Sequence, residues 1–374
     1  MSFILHAALA VGWLTSAGPG GTLAYVAGTE QEDQCVMVLD LASGRAVRAG
    51  RGSRDGAPQW SPDGKRIAFE SNTDKGMGIC VAGPDGTAPK LFGASHETNM
   101  NPRWSPDSRR LAWVVEDSEP LKPGLNVCDV ESGVETRWGG EKTAALRPVW
   151  LPTLDLMKAM DPSEQDAAAA AALVALKDEA DKDGALVAPG LAGAPGKLST
   201  EIMLVTASNA VPMLPLLIKD SDRYVEWCVE PDAKGQQIAY ESNDGGNREI
   251  FVIGRRGIVN VSNHRAADWN PVWSPDCKWI AFESFRGGRR GVYKVLVGTG
   301  NVTAMDAGRE YDCWSPAWSA DCKWIAYVSD RSGSPQIWAA PAAGGAAVQV
   351  TKETGYALAP AFQPKAKKAK ESGK

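Results

Sequence analysis

Ser, Asp and Lys, three residue types that often do chemistry, recur at fixed spacing in this sequence. In the stretch Pro58–Asn72, PQWSPDGKRIAFESN, they are Ser61, Asp63 and Lys65. An aspartate-rich loop could hold a calcium ion. The same residues also suit a turn, because proline presets φ, aspartate bonds to nearby backbone and glycine accepts a positive φ. The turn explains the pattern without a metal, and we predict a turn. Related stretches begin at Pro102, Pro271 and Pro316.

Recognisable catalytic motifs are missing from the sequence. It contains no G-x-S-x-G elbow, Walker loop, H-E-x-x-H motif or C-x-x-C pair. Without a nucleophile elbow, peptidase activity has no residues to perform it. We therefore predict a non-enzymatic protein with no catalytic residue, no cofactor and no metal site.

The repeated stretches define the elements that carry these residues. Apolar and polar residues alternate after the turn of each copy, which is typical of β-strands joined in hairpins. Seven copies are separated by 44, 46, 79, 44, 45 and 44 residues. A period in the forties with four short strands per unit is the signature of a β-propeller. We therefore predict an all-β, seven-bladed β-propeller. The intervals run between Pro62, Pro106, Pro152, Pro231, Pro275, Ala320 and Pro364.

A large aromatic residue comes just before the turn in most copies. Trp fills this slot five times, and we assign Val229 and Phe362 to it in the other two copies. A bulky residue at the same place in every blade can fill the space between neighbouring blades. We predict inter-blade packing for the five tryptophans, which are Trp60, Trp104, Trp150, Trp273 and Trp318.

The repeat resembles that of the TolB-like propeller family, which reads roughly W-S-P-D-G-K-x-I-A-F-x-S followed by a Gly-containing turn and an I-Y/W strand. The segments Ser242–Phe251 and Ser329–Trp338 match its second half, and the resemblance covers about residues 22–364. It implies a propeller that serves as a binding scaffold, an enzyme filter or occasionally a lyase. The propeller of TolB itself has six blades and follows an α/β domain, for which this sequence shows no counterpart.

The repeat also predicts how the chain is divided. Residues 21–364 form the propeller, and its last strand, around Ala359–Pro364, should pair with Thr22–Val26 and close the ring. The long interval, residues 153–199, is predicted to be a helical insertion in the fourth blade, opened by Asp161–Glu164 and stopped by Gly184. Residues 1–20 are expected to be a signal peptide or an N-terminal arm, and residues 365–374 a disordered Lys-rich tail.

Composition excludes several partners. A net charge of −5 and a pI near 5.5 argue against nucleic acid, which normally requires a basic face. The apolar run Phe3–Leu14 is too short to span a bilayer. We expect a monomer that is periplasmic or secreted, or cytoplasmic if this run is not a signal.

The sequence contains seven cysteines, an odd number for an exported protein. Cys35, Cys80 and Cys128 occupy comparable strand positions in successive blades, and we predict that they are small buried residues. Cys277 and Cys322 replace the glycine of neighbouring turns, where two free thiols and a disulfide are both open.

The loops at which the innermost strands begin form the predicted binding face, by analogy with related propellers. Mixed charges with a few aromatic rings suit a protein or peptide partner, because aromatic residues supply contact area and charges supply register. The predicted partner-binding residues are Asp55, Asn101, Arg147, Glu226, Asn270, Trp314, Tyr356, Arg286 and Arg331.

Two functions remain open from the sequence. We predict a TolB-like scaffold that binds a protein or peptide around the channel, in the cell envelope. The alternative is a carbohydrate- or small-ligand-binding propeller, including a divergent polysaccharide lyase. Seven-bladed oligogalacturonate lyases, a second resemblance, hold a metal with clustered histidines. His96 and His264 fall three blades apart and cannot share one ion.

Overall fold

A computed structural model gives the architecture of the protein. It describes residues 18–29, 33–50, 52–74, 76–93, 98–116, 124–139, 147–153, 176–192, 199–212, 226–243, 246–254, 257–308 and 310–365. The predicted signal segment, the start of the helical insertion, His96 and the Lys-rich tail from residue 366 lie outside these ranges.

The described strands form seven antiparallel four-stranded sheets, which confirms the prediction of seven blades. Blade 1 begins with β1 (Thr22–Gly28), β2 (Cys35–Asp40) and β3 (Arg45–Arg48). Blade 2 contains β4 (Gly56–Trp60), β5 (Ile67–Thr73), β6 (Gly76–Ala82) and β7 (Lys90–Phe92). Blade 3 contains β8 (Thr98–Trp104), β9 (Arg110–Glu116), β10 (Gly124–Asp129) and β11 (Glu135–Trp138). Blade 4 contains β12 (Val149–Trp150), β13 (Leu186–Ala192), β14 (Ser199–Val205) and β15 (Ala210–Pro212).

The remaining blades follow the same order. Blade 5 contains β16 (Glu226–Pro231), β17 (Ile238–Ser242), β18 (Glu249–Gly254) and β19 (Gly257–Asn260). Blade 6 contains β20 (Asp268–Trp273), β21 (Trp279–Ser284), β22 (Gly291–Leu296) and β23 (Asn301–Asp306). Blade 7 contains β24 (Cys313–Trp318), β25 (Trp324–Ser329), β26 (Gln336–Pro341) and β27 (Val348–Gln349). The last strand is β28 (Tyr356–Phe362).

The last strand completes the first blade. β28 pairs antiparallel with β1, with Phe362 opposite Leu23 and Tyr356 opposite Gly28. The innermost strands β28, β4, β8, β12, β16, β20 and β24 each contact the innermost strands of both neighbouring blades. The predicted closure is therefore confirmed, and the innermost strands surround a central channel.

The repeated tryptophans join the blades as predicted. Each of the five indoles donates a hydrogen bond to a backbone carbonyl on the innermost strand of the preceding blade. The bonds measure 3.0 Å for Trp60 to Ala361, 3.1 Å for Trp104 to Gln59, 3.1 Å for Trp150 to Arg103, 2.8 Å for Trp273 to Glu230 and 3.1 Å for Trp318 to Val272. The indole rings also lie between neighbouring sheets. Each repeated tryptophan therefore joins two blades both by packing and by a hydrogen bond.

The assignment of Val229 to the tryptophan slot is wrong. Pro231 pairs with Ile238, as Trp60 pairs with Ile67 in blade 2. The N–H of Asp232 bonds to the carbonyl of Gln237, which repeats the bond from Ser61 to Arg66. Blade 5 is thus shifted by two residues relative to the sequence alignment, and Pro231 occupies the slot.

The Ser-Pro-Asp-Gly segment forms the predicted turn. Ser61 Oγ donates to Asp63 Oδ1 at 2.6 Å, and the N–H of Lys65 donates to the same oxygen at 3.1 Å. Gly64 has a φ of +71°, and the equivalent Cys277 and Cys322 have φ values of +61° and +60°. Burial opposes ionisation of Asp63, but these hydrogen bonds outweigh it and lower the pKa of its carboxyl. Asp63 therefore has a structural role.

The insertion in blade 4 ends earlier than predicted. Residues 176–183 belong to a helix, α1, and Gly184 follows it with a φ of +81° and an N–H bond of 2.8 Å to the Ala180 carbonyl. Leu176 and Ala180 pack on the core between blades 4 and 5. The predicted range of residues 153–199, however, includes β13, the second strand of the blade.

Pro189 and Gly190 lie within β13, although proline and glycine are uncommon inside strands. Within the described residues, β12 pairs only with Leu186 and Val187. Pro189 therefore lies on a stretch of β13 whose inner edge has no described partner strand, where a missing N–H is tolerated.

All seven cysteines are free thiols, including Cys277 and Cys322. Cys80 and Cys128 are buried as predicted, and burial raises the pKa of each thiol to about 12. Cys35 is only half-buried.

Candidate functional site

A β-bulge recurs near the start of the innermost strands. The strand register shifts at this point in blades 1, 2, 3, 5, 6 and 7. The residue three positions before the tryptophan slot has a positive φ in six blades, which is uncommon for residues other than glycine. We call this position the bulge slot; with a positive φ it holds Ala57, Asn101, Arg147, Asn270, Ser315 and Ala359.

Glutamates support the bulge slot from the second strand of the preceding blade. The N–H of Asn101 bonds to Glu70 Oε1 at 2.8 Å, that of Asn270 to Glu241 Oε1 at 2.6 Å, and that of Ser315 to Glu283 Oε1 at 2.9 Å. Burial raises the pKa of Glu70 and Glu241 even though these N–H groups oppose the shift. The glutamates therefore fix the bulges through these hydrogen bonds.

The structure brings Asn270 and Trp314 together. Glu283, which is 1% exposed, accepts a bond from Asn270 Nδ2 at 2.8 Å and one from Arg290 Nε at 2.6 Å. The Arg290 guanidinium lies 5.8 Å from the ring centre of Trp269 and 5.5 Å from that of Trp314. This is a cation–π arrangement on both sides of the arginine.

Phe285 extends this cluster towards solvent. Its ring centre lies 5.1 Å from that of Trp269, and 44% of the residue is exposed. Trp269 and Trp314 are half-buried. We call Trp269, Phe285, Arg290 and Trp314 the aromatic patch. It presents apolar surface where β20 and β24 begin.

Charged side chains line the channel at blades 3 to 5. Arg103 Nη2 on β8 lies 3.8 Å from Glu230 Oε1 on β16, although blade 4 separates their blades in the ring. Burial raises the pKa of Glu230, while Arg103 and Arg147 oppose the rise. The pair therefore links the innermost strands of blades 3 and 5 past the short β12.

Arg147 is exposed beside this pair. Cys228, Glu230 and Glu241 raise the pKa of its guanidinium, so these groups lie close to it. In the part of the chain that the structure describes, Arg147 makes no hydrogen bond and no ion pair. Its backbone has a φ of +48°. A strained backbone thus carries an exposed cation at the channel.

Four predicted site residues have other surroundings. Asp55 is fully buried, and its Oδ1 accepts a bond from Ser71 at 2.7 Å, so it does not lie on the loop face. Arg286 pairs with buried Asp268 at 2.7 Å, and Arg331 pairs with Asp306 and lies over the Tyr311 ring. Both arginines are largely buried, and each also contacts the preceding blade, Arg286 through the Ser262 carbonyl and Arg331 through Asp306 on β23. The Tyr356 hydroxyl lies against Gly28, where β28 closes blade 1.

Several predicted site residues, including Tyr356, lie at slightly different places along the strands than predicted. Asn101, Asn270, Trp314 and Tyr356 lie within the innermost strands rather than before them. Glu226 begins β16 opposite Ser242, which is the position of Asp268 opposite Ser284 in blade 6. The structure does not describe its side chain.

Sequence analysis missed Trp269, Phe285 and Arg290. The sequence pattern could have identified Trp269, because Trp269 and Trp314 both stand four residues before the repeated tryptophan of their copy. With blade 5 in its corrected register, Trp227 stands at the same offset. Three consecutive blades therefore carry tryptophan at one position of the innermost strand.

The described residues contain no group of three or more His, Cys, Asp or Glu side chains arranged for a metal ion. His264 Nδ1 accepts a bond from the N–H of Ala266 at 3.0 Å, and the His264 N–H donates to Glu249. His264 thus holds a loop of blade 5. No helix within the described ranges has the length and apolar character needed to cross a membrane.

Comparison with known proteins identifies the fold. No protein-family model and no curated protein matches the sequence. The β-propeller domain of the Trilobed protease from Pyrococcus furiosus aligns with a TM-score of 0.63 and 14% identity, over 90% of this chain and 96% of that one. TolB from Acinetobacter baumannii aligns with a TM-score of 0.52 and 16% identity, over 92% of this chain and 82% of that one.

A propeller-containing peptidase is also similar. The acylaminoacyl peptidase of Pyrococcus horikoshii aligns with a TM-score of 0.59 and 13% identity, over 89% of this chain. The match covers 51% of the enzyme, so this chain spans about half of its length. At these identities the comparisons establish architecture alone. The chain is a seven-bladed β-propeller with a TolB-like fold.

Proposed function

We propose that this protein is a non-catalytic scaffold that binds a protein or peptide at the face where its innermost strands begin. The aromatic patch carries the proposal. Trp and Arg are the residues most often found at the energetic centre of protein interfaces, and here Arg290 lies between Trp269 and Trp314 with Phe285 exposed beside them. A ligand that covers these rings would gain apolar contact without disturbing the blade core.

Rigid support favours binding at this place. Glu283 holds Arg290 and Asn270 and also accepts the N–H of Ser315. Trp269 and Trp314 lie on paired strands, and Glu283 holds Arg290 of the β21–β22 connection beside them, so a partner would lose little entropy by ordering the patch. The alternating charges along the channel would set the register of an extended chain.

A peptide display selection tests this function. Random twelve-residue peptides would be selected on the immobilised wild-type protein and then measured against the variant Trp269→Ala/Trp314→Ala. We expect the double variant to weaken binding by about a hundredfold, since a hot-spot residue contributes about 2 kcal/mol or more. Val259→Ser is the matched control, because Val259 is 51% exposed on the outermost strand β19, away from this face.

Two outcomes would contradict the proposal. Selected peptides that bind the double variant and the wild type equally would move the site elsewhere. A selection that enriches no binder would remove the basis for peptide recognition.

Carbohydrate binding is the second candidate, because half-buried tryptophan rings can also stack on the apolar faces of sugars. A glycan array that includes acidic oligosaccharides, read with the same variants, separates the two. Binding of a glycan that depends on Trp269 and Trp314, without peptide enrichment, would favour this candidate.

We also propose that the protein is a monomer, and that it acts outside the cytoplasm on the basis of the apolar segment Phe3–Leu14. Intact mass after expression in a host with an export pathway tests the location. Removal of about twenty residues is expected, and a retained Met1 would contradict it. Light scattering tests the monomer.

A further inference from the structure

Arg147 differs from every other residue described in the bulge slot. Where its φ is positive, the slot otherwise holds Ala, Asn and Ser, which are small, and Asn tolerates a positive φ well. An arginine with a φ of +48° is conformationally costly there and is not needed for packing, because its side chain is exposed. Such a residue invites a functional explanation.

The neighbouring charges define what Arg147 can bind. Glu230 lies 3.8 Å from Arg103, and Glu241 lies 3.5 Å from Arg248 and accepts the N–H of Asn270. The two carboxylates that act on Arg147, Glu230 and Glu241, are therefore each engaged by a different arginine. The guanidinium of Arg147 is the cation of this group whose donors are open to a ligand, within the described residues.

Arg147 lies directly before β12, the shortest of the described innermost strands. Blade 4 contributes only Val149 and Trp150 to the described innermost strand, whereas the other innermost strands have five to seven residues. Arg147 precedes this strand at the channel, on the same face as the aromatic patch of blades 6 and 7. A ligand that lies across the channel mouth can therefore contact both.

We propose, on the basis of the function proposed above, that the partner is a peptide that presents a carboxylate to Arg147 while an aromatic or aliphatic side chain covers the aromatic patch. A planar guanidinium binds a carboxylate through two parallel hydrogen bonds, which fixes orientation as well as charge. The carboxylate comes from Asp, Glu or the free end of the peptide.

Two matched hexapeptide libraries test the proposal. Every member carries one Trp or Phe. The acidic library has one Asp or Glu and a free C-terminal carboxylate, and the neutral library has Asn or Gln and a C-terminal amide. Arg147→Asn is the variant of choice, because Asn already occupies this slot at φ values of +56° and +54° in Asn101 and Asn270. Thermal unfolding checks that the variant is folded.

We expect the wild type to bind the acidic library about ten- to a hundredfold more tightly than the neutral one, as for a charge-assisted hydrogen bond. Arg147→Asn should abolish this difference and leave weak binding of both libraries. Trp269→Ala/Trp314→Ala should weaken both libraries while the acidic preference persists. Added salt should reduce the wild-type preference more than it affects Arg147→Asn.

The contrary outcomes are distinct. If both libraries bind the wild type equally and still require the aromatic patch, the carboxylate proposal fails and the scaffold function stands. An acidic preference that survives in Arg147→Asn also overturns the role of Arg147. If neither library binds the wild type better than the double tryptophan variant, both proposals fail.

Discussion

Replacing Glu283 by Gln tests the hydrogen-bonded support of the aromatic patch. Glu283 Oε2 accepts the Arg290 Nε–H at 2.6 Å, and Oε1 accepts bonds from Asn270 Nδ2 and the Ser315 N–H at 2.8 and 2.9 Å. The glutamine carbonyl can keep the two Oε1 bonds, but its amide nitrogen would face the Arg290 donor. The charge-assisted bond to Arg290 is therefore the one that is lost.

The expected cost follows from that single bond. A hydrogen bond between charged groups contributes about 1.5 to 3 kcal/mol, and breaking a fully buried ion pair costs about 3 to 5 kcal/mol. The side chain of Arg290 is 33% exposed, so water can bond to it after the substitution and the upper range does not apply. We expect Glu283→Gln to lower the free energy of unfolding by about 2 to 3 kcal/mol.

A double-mutant cycle with Arg290→Met isolates the interaction. Urea unfolding would be measured for the wild type, both single variants and the double variant. Because the double variant leaves neither charge unpaired, it should be less destabilised than the sum of the singles, with a coupling of about 1 to 2 kcal/mol. Glu131→Gln, at an exposed position, should change stability by less than about 0.5 kcal/mol. Additive effects at Glu283 and Arg290 would refute the reasoning.

Two further predictions concern the repeat itself. Trp104→Phe leaves the half-buried Gln59 carbonyl without its donor and should cost about 1 to 3 kcal/mol in urea unfolding. We expect Trp269→Phe to cost less, because the Trp269 indole makes no such bond within the described residues; equal costs would contradict this. The folded-state pKa of Asp63 lies below its ordinary value of 3.8, so its contribution to stability is present above pH 3.8 and is lost as the pH falls through the folded-state pKa. Asp63→Asn should therefore reduce the loss of stability in acid, and unfolding curves between about pH 2 and pH 7 that run parallel to those of the wild type would oppose it.

The recurring tryptophan and turn predicted most of the fold. The motif requires space for a bulky ring and a backbone that can form a Pro-Asp turn, and few other arrangements satisfy both. The copies at Trp60 and Trp318 were therefore enough to predict the blades that contain them. The two-residue error in blade 5 has a physical reason. Side chains alternate with a period of two, so shifting β16 by two residues keeps every side chain on the same face. Apolar alternation therefore could not distinguish Val229 from Pro231 in the slot.

The site was harder to predict because it depends on the bulge. A bulge adds one residue to a strand and redirects the side chains before it. Asp55 and Asn101 are both predicted to lie in the loop before their innermost strand. In the structure Asp55 stands five residues before its tryptophan and is buried, whereas Asn101 stands three residues before its tryptophan and lies at the bulge. The positive φ is carried by Asn, Arg, Ala and Ser rather than by Gly, so the sequence gives no clear mark of it. Phe285 and Arg290 lie in the connection between β21 and β22, and only the folded blade brings them next to Trp269.

The residue in the bulge slot can affect ligand binding without affecting how the blade folds. Packing constraints fall on the buried proline one position later and on the residue in the tryptophan slot, while the slot itself accepts Ala, Asn, Arg or Ser. A single substitution there changes the chemistry at the channel mouth without disturbing the core. Each blade thus offers one independent position for variation around a common axis, and the ring can acquire a new specificity by small evolutionary steps.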